Sequence, residues 1–309
     1  MFISHQWNGF DHPDPNGRHL QVLCKVLRDL RDGVHDHVST DPFHELLYKE
    51  NTTTSAAEWQ HLLSNAYIWF DFWCEPHHDT SLRKELNLAI ESVAAYVERS
   101  DTVRQLCWSV TLSMLKCANI ALSLSSHIYI YSFVLTHSTH TQVIILAPPT
   151  AHQDRLDKPS GRPAITCYRT WRRRGLCVLE LFCCFLSRRK THPILLIRSE
   201  YEVPMWISSH ECLKLAVGEC ELTCCATNHL GQDGNTQMSC IRPIAMRILK
   251  SLINSKVKDL KKRNAIVHAR MITILENFWI RGLVDEESCK KALSSSPSSS
   301  NNNNDNDNE

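Results

Sequence analysis

Val143-Ile144-Ile145-Leu146-Ala147, stopped at once by Pro148-Pro149, is the stretch that decides the fold of this chain. The run is apolar and β-branched without alternation, so it has no polar face to offer to water. A strand of that kind is buried on both sides, as happens in a parallel sheet covered by helices. The prolines bring no backbone donor and close the strand.

Working outward, three other segments read the same way. Tyr67-Ile68-Trp69-Phe70-Asp71-Phe72-Trp73 is a continuous aromatic and β-branched run, and Ile194–Ile197 is a short apolar one. The N-terminal residues Met1, Phe2 and Ile3 are β-prone and turn polar at Ser4, His5 and Gln6. Helical spacing fills the intervals. Leu20, Leu23, Val26, Leu27 and Leu30 mark a helix closed by Gly33, and Leu82, Leu86, Ile90, Val93 and Val97 mark a second. A third is expected around Leu176–Leu186. Strand and helix in strict alternation are the pattern of a doubly wound α/β domain with a mostly parallel, flavodoxin-like sheet.

Residues 35–55 show no clear period and read as a long connection with one short helix. Residues 103–142 break the rhythm: no Lys, Arg, Asp or Glu occurs between Cys117 and Gln142, and serines and histidines interrupt the apolar positions. A transmembrane helix over Cys117–Leu135 is one reading. A membrane span wants about 20 predominantly apolar residues, however, and this run is interrupted by serines and a histidine, so membrane association is not the favoured expectation. A long insertion inside a compact α/β unit is anomalous, and a translated intron is the origin we expect for it.

Beyond residue 200, Glu219–Ala226 reads as a short strand and Gly231–Gly234 as a turn. Helices are expected from Ile244 and over Ala265–Ile280. The division is therefore an α/β domain over 1–200, a mainly helical extension over 201–284 and a tail over 285–309. The tail is Ser- and Asn-rich, cannot bury a core and should be disordered.

With 34 basic and 33 acidic residues the net charge is +1, which gives no global attraction to nucleic acid or membrane. MFISHQWNGF has neither a basic n-region nor an apolar h-region, so no signal peptide is read and a cytoplasmic location is expected. The 14 cysteines are then reduced thiols packing as small hydrophobes. His210, Cys212, Cys220, Cys224, Cys225, His229 and Cys240 share one region, yet their spacings match no standard zinc module, and no metal site is expected. G-x-G-x-x-G, P-loop, H-E-x-x-H and G-x-S-x-G patterns are all missing, which argues against the corresponding enzyme classes.

The order of elements meets specific residues. Phe2-Ile3-Ser4-His5 resembles the opening strand of Toll/interleukin-1 receptor (TIR) domains in their heterokaryon-incompatibility (HET)-like form. Trp69-Phe70-Asp71 resembles the second strand, Ala89-Ile90-Glu91-Ser92 the helix after it, and Val143–Ala147 with Pro148 the third strand. Gly175-Leu176-Cys177-Val178-Leu179-Glu180-Leu181 resembles the helical "W-C-x-x-E-L" motif. The likeness covers residues 1–200 apart from the insertion. It implies a TIR-like signalling domain that acts by self-association or by docking to other TIR-like domains. The alternative it implies is an NAD glycohydrolase, with NAD as substrate and no required cofactor.

In the NAD-cleaving members the glutamate of the last motif is catalytic, and the matching residue is Glu180. Leu176, Cys177, Cys183 and Cys184 are its helical neighbours, so its carboxylate would sit on an apolar face; pairing with Arg173 or Arg174 is the structural alternative. Leu176 stands where active members carry an aromatic, and Trp171 lies too far upstream along the helix to replace it directly. Ligands of open α/β sheets bind beyond the carboxyl ends of the strands. That rule selects Ser4, His5, Gln6 and Trp7 on the first strand and Asp71 and Trp73 on the second as NAD-binding candidates. Arg173 and Arg174, entering the Glu180 helix, are candidates for its phosphates.

Overall fold

The computed structural model describes residues 1–10, 12–64, 66–70, 88, 90–99, 143–157, 159–187, 193–226 and 240–283. Asp71, Trp73, the start of the second expected helix, the 103–142 insertion, the 231–234 turn and the tail lie outside the described residues.

Five strands form the main sheet: β1 (Phe2–His5), β4 (Trp69–Phe70), β5 (Val143–Leu146), β8 (Ile194–Ile197) and β9 (Met205–Ile207), in the spatial order β4-β1-β5-β8-β9. β1 pairs parallel with β4 and β5, β5 pairs parallel with β8, and β9 adds an antiparallel edge. The result is a mixed α/β domain around a mostly parallel sheet.

Every residue of β1, β5 and β8 is buried, and alternation along the strands divides them between two cores. Phe2, Val143, Ile145, Ile194 and Leu196 face one side. There they meet α4 (Val93–Arg99), α6 (Gly175–Leu186), α8 (Arg242–Lys262) and α9 (Ile266–Trp279). Ile3, Ile144, Leu146, Leu195 and Ile197 face the other, against α1 (Arg18–Arg31) and α3 (Ala56–Leu63). Each buried Leu, Ile or Val side chain contributes about 1.5–3 kcal/mol. The unalternating runs therefore build two hydrophobic layers from one set of strands.

Local chemistry sets the helix boundaries. Asp14 caps the start of α1, its Oδ2 accepting from the Leu20 amide at 2.9 Å, while Gly17 takes the left-handed conformation at φ 64° just before it. α6 carries an unbroken apolar sequence, GLCVLELFCCFL, and is buried almost all round because it lies between the sheet and α8/α9.

The connection over 35–55 is more regular than its sequence suggests. It contains β2 (His37–Ser39), α2 (Pro42–Tyr48) and β3 (Thr53–Ser55), and Asp41 caps α2 by accepting from the Phe43 and His44 amides. β2 and β3 pair antiparallel with only their central residues buried, so neither produces an apolar run. A second ribbon, β6 (Thr150–Leu156) with β7 (Pro163–Thr166), escaped the sequence reading for the same reason. The strand expected over Glu219–Ala226 is instead a 3₁₀ turn at Val217–Glu219 followed by α7 (Thr223–Ala226), with one bridge from Arg174 to Glu221.

Residues beyond 200 share both cores with those before. Trp206 of β9 stacks on Trp59 of α3 with ring centroids 5.5 Å apart, and Trp279 of α9 meets Phe182 of α6 at 5.3 Å. Among the described residues no helix is long and apolar enough to cross a membrane.

Candidate functional site

The carboxyl end of β1 organises the site. Strand alternation turns Ser4 toward α6, His5 toward α1 and Gln6 back again. Ser4 Oγ donates to Glu180 Oε2 and accepts from Trp171 Nε1 at 3.1 Å. Trp171 ends the short α5 (Tyr168–Trp171) and is fully buried, Ser4 is buried, and Glu180 is half-buried. Three residues far apart in the chain thus form one relay, indole to hydroxyl to carboxylate. Trp171 lies on α5 and not on the Glu180 helix, and it reaches Glu180 through Ser4.

On the other face, His5 Nδ1 lies 3.3 Å from His19 Nδ1, and His19 Nε2 lies 3.0 Å from Asn8 Nδ2 and 3.1 Å from Thr150 Oγ1. Asn8 Oδ1 accepts from Thr166 at 2.7 Å and from Thr150 at 3.1 Å. Gln6 Oε1 accepts from Thr170 Oγ1 at 2.7 Å. These groups are mostly buried, and a buried polar network is tolerated only when its members are satisfied. The network clamps the strand end, the loop after β5 and the approach to α6 in one arrangement. Sequence reasoning selected Ser4, His5 and Gln6 but missed Asn8, His19, Thr150, Thr166, Thr170 and the role of Trp171. The two-residue alternation of β1 was the available signal that Ser4 and Gln6 share a face.

Trp7 is half-buried just past the strand, and Arg173 is exposed. Arg174 is buried and faces Glu221, with Nη1 3.3 Å from Oε2, and Arg155 holds the same carboxylate at 2.5 Å. The Gly175 amide donates to the Glu221 carbonyl at 2.8 Å. Glu221 therefore stands at the entrance of α6, where the sequence reading set a phosphate. Burial holds the Arg174 guanidinium below its ordinary range, with Arg155 adding repulsion. A Cβ at Gly175 would lie 2.5 Å from Leu222 Cδ2, so a larger residue there would displace that side chain.

A second polar cluster was invisible in the sequence. Buried Glu211 pairs with Arg172 at 2.5 Å and accepts from Tyr48 Oη at 3.1 Å, with His44 Nε2 3.9 Å away. His44 Nδ1 accepts from the Ser208 amide at 3.1 Å, and burial lowers its pKa from the ordinary value. Burial also raises the Tyr48 and Tyr168 phenols. The cluster ties α2, α5 and the turn after β9 together and reads as structural.

The ten cysteines among the described residues form no disulfide. Cys212, Cys183 and Cys184 are core residues, and burial raises each thiol. His210 pairs with Glu50 at 3.0 Å, while His229 lies outside the described residues. Comparison with protein-family models, with curated proteins and with solved structures finds no match to this chain.

Proposed function

We propose that the chain is a cytoplasmic TIR/HET-like signalling domain whose reactive group is Glu180 and whose substrate is NAD. The relay from Trp171 through Ser4 to Glu180 carries this reading. It fixes a half-buried carboxylate against the carboxyl end of β1, beside β5. The order β4-β1-β5-β8 follows the flavodoxin-like pattern 2-1-3-4, in which ligands bind at the switch point between the first and third strands.

Glycosidic cleavage of NAD releases nicotinamide with the bonding electron pair and leaves a cationic ribosyl centre. A fixed carboxylate stabilises that developing charge, and water then adds to the sugar carbon and releases a proton to solvent. The Ser4 hydroxyl keeps the carboxylate oriented without neutralising it. Trp7 supplies a ring surface for the base, and Arg173 supplies an exposed cation for the phosphates. Asp71 and Trp73 remain binding candidates through the family resemblance alone.

A second reading, self-association without chemistry, is favoured by α9. Val267, Met271 and Ile274 recur at i, i+4 and i+7 and are 78%, 44% and 75% exposed, an apolar stripe suited to a second copy of the chain. Self-association itself is common to both readings, since assembly can bring a catalytic domain into its active form. The deciding experiment measures nicotinamide release from NAD at high protein concentration for wild type, Glu180→Gln and Glu180→Ala. Release by the wild type that vanishes in both variants supports the hydrolase. A folded, oligomeric wild type that releases none rejects it and leaves docking.

A further inference from the structure

The fold assembles a sulfur cluster that the sequence spacing conceals. Cys224 and Cys225 lie on α7, and Cys240 immediately precedes Ile241, the N-cap residue of α8. Cys225 Sγ is 3.8 Å from Cys224 Sγ and 3.9 Å from Cys240 Sγ, and all three sulfurs lie within 4.8 Å of one another. The Ile241 amide donates to Cys224 Sγ at 3.4 Å. Leu176, Leu222 and Ile241 pack around the sulfurs, and Cys224 and Cys240 are buried while Cys225 is half-exposed.

These distances suit a metal ion. A cation about 2.3 Å from each thiolate spans sulfur–sulfur edges of about 3.8 Å in a tetrahedral set and about 4.0 Å in a trigonal plane. Two of the observed edges fall on those values, and the third, between Cys224 and Cys240, lies within 4.8 Å and closes to about 4.0 Å when the ion binds. Soft sulfur donors select zinc or copper(I) over magnesium, calcium or manganese. The hydrogen bond with Cys240 and burial raise the Cys224 thiol in the metal-free chain, so the cation itself displaces the proton, and two features of the surroundings assist it. An amide N–H points at one sulfur, and the positive end of the 21-residue α8 lies beside the cluster. Cys225 offers the route of entry.

We propose that Cys224, Cys225 and Cys240 form a three-thiolate site for one thiophilic d10 cation, zinc or copper(I). Binding releases the three thiol protons to solvent and forms three metal–sulfur bonds. No electron is transferred. The site joins α7 to the start of α8 and so links the turn that plugs the entrance of α6 to the C-terminal helices. Its role is separate from the reading of Glu180, and either can hold without the other.

The test uses the full chain, stripped of metal and kept reduced. Native mass spectrometry follows titration with zinc and, separately, with acetonitrile-stabilised copper(I), and cobalt(II) serves as an optical probe of thiolate ligation. One equivalent bound, with thiolate-to-cobalt charge transfer, is the expected result. Cys225→Ser and Cys240→Ser should each weaken binding at least tenfold, whereas Cys24→Ser with Cys167→Ser should leave it unchanged. Circular dichroism checks that each variant is folded. In the wild type, bound metal should also protect the half-exposed Cys225 from alkylation, a measurement that needs no variant. Preference for one ion supports the site and identifies its occupant. A folded wild type that retains neither ion, or alkylation of Cys225 unaffected by metal, overturns the proposal.

Discussion

Replacing Ser4 by alanine removes one oxygen and disturbs two partners. The Trp171 indole is fully buried, so its N–H, which donates to Ser4 Oγ at 3.1 Å, loses its acceptor where water does not replace it. An orphaned buried donor costs about 1–3 kcal/mol. Glu180 also loses the donation from Ser4, but it is half-buried and water compensates for part of that loss. The net cost of Ser4→Ala should be about 2–3 kcal/mol, measured by urea denaturation and read also as a lowered melting temperature. A double-mutant cycle with Trp171→Phe isolates the indole's share. Phenylalanine has no N–H to orphan, so in that background Ser4→Ala should cost about 1 kcal/mol less. A cost below about 0.5 kcal/mol, or equal costs in the two backgrounds, would refute the relay as an energetic unit.

Glu180→Gln keeps an acceptor for the Ser4 hydroxyl and removes the charge, so its stability should stay within about 1 kcal/mol of wild type while nicotinamide release is lost. An unfolded Glu180→Gln would contradict this. His152 is buried, its Nδ1 accepts from the Asp154 amide at 3.1 Å, and burial with nearby Arg155 lowers its pKa from 6.5 to about 4. The unfolded chain therefore binds a proton between those values that the folded chain does not. Stability should fall by about 2 kcal/mol as pH drops from 6.5 to 4, and His152→Asn should remove that part of the slope in denaturation at several pH values. Gly218→Ala should destabilise by more than about 3 kcal/mol or prevent folding, because a Cβ would stand 2.2 Å from the Leu283 amide nitrogen and 2.3 Å from the Arg281 carbonyl oxygen. Normal expression and melting of that variant would show that the 217–219 turn and the end of α9 are not packed backbone to backbone. Val267→Asp with Ile274→Asp on the outer face of α9 should leave melting unchanged and abolish self-association in light scattering; association that persists removes the stripe from the docking reading.

The sequence by itself determined what depends on neighbouring residues. Val143–Leu146, Ile194–Ile197 and Phe2–Ile3 are apolar without alternation, and that alone implies burial on both faces. α1, α6, α8 and α9 were legible because helical spacing, or unbroken apolar sequence, is a property of the local chain. Strand-end logic likewise selected Ser4, His5 and Gln6 without coordinates.

Tertiary structure decided the rest. β2, β3 and most of β6 are exposed, so their pairing leaves no apolar signature. The strand expected near Glu221 became a turn and a short helix because that segment packs against the start of α6, with Glu221 bonded to Arg173 and Gly175. Ser4 meets Trp171 and Glu180 across 167 and 176 residues of chain, and no local period encodes such a meeting. The three sulfurs of α7 and α8 converge only because Cys240 is returned to α7 at the start of a long helix. Periodicity reports which face of an element is buried; which side chains face one another there depends on how the buried faces pack.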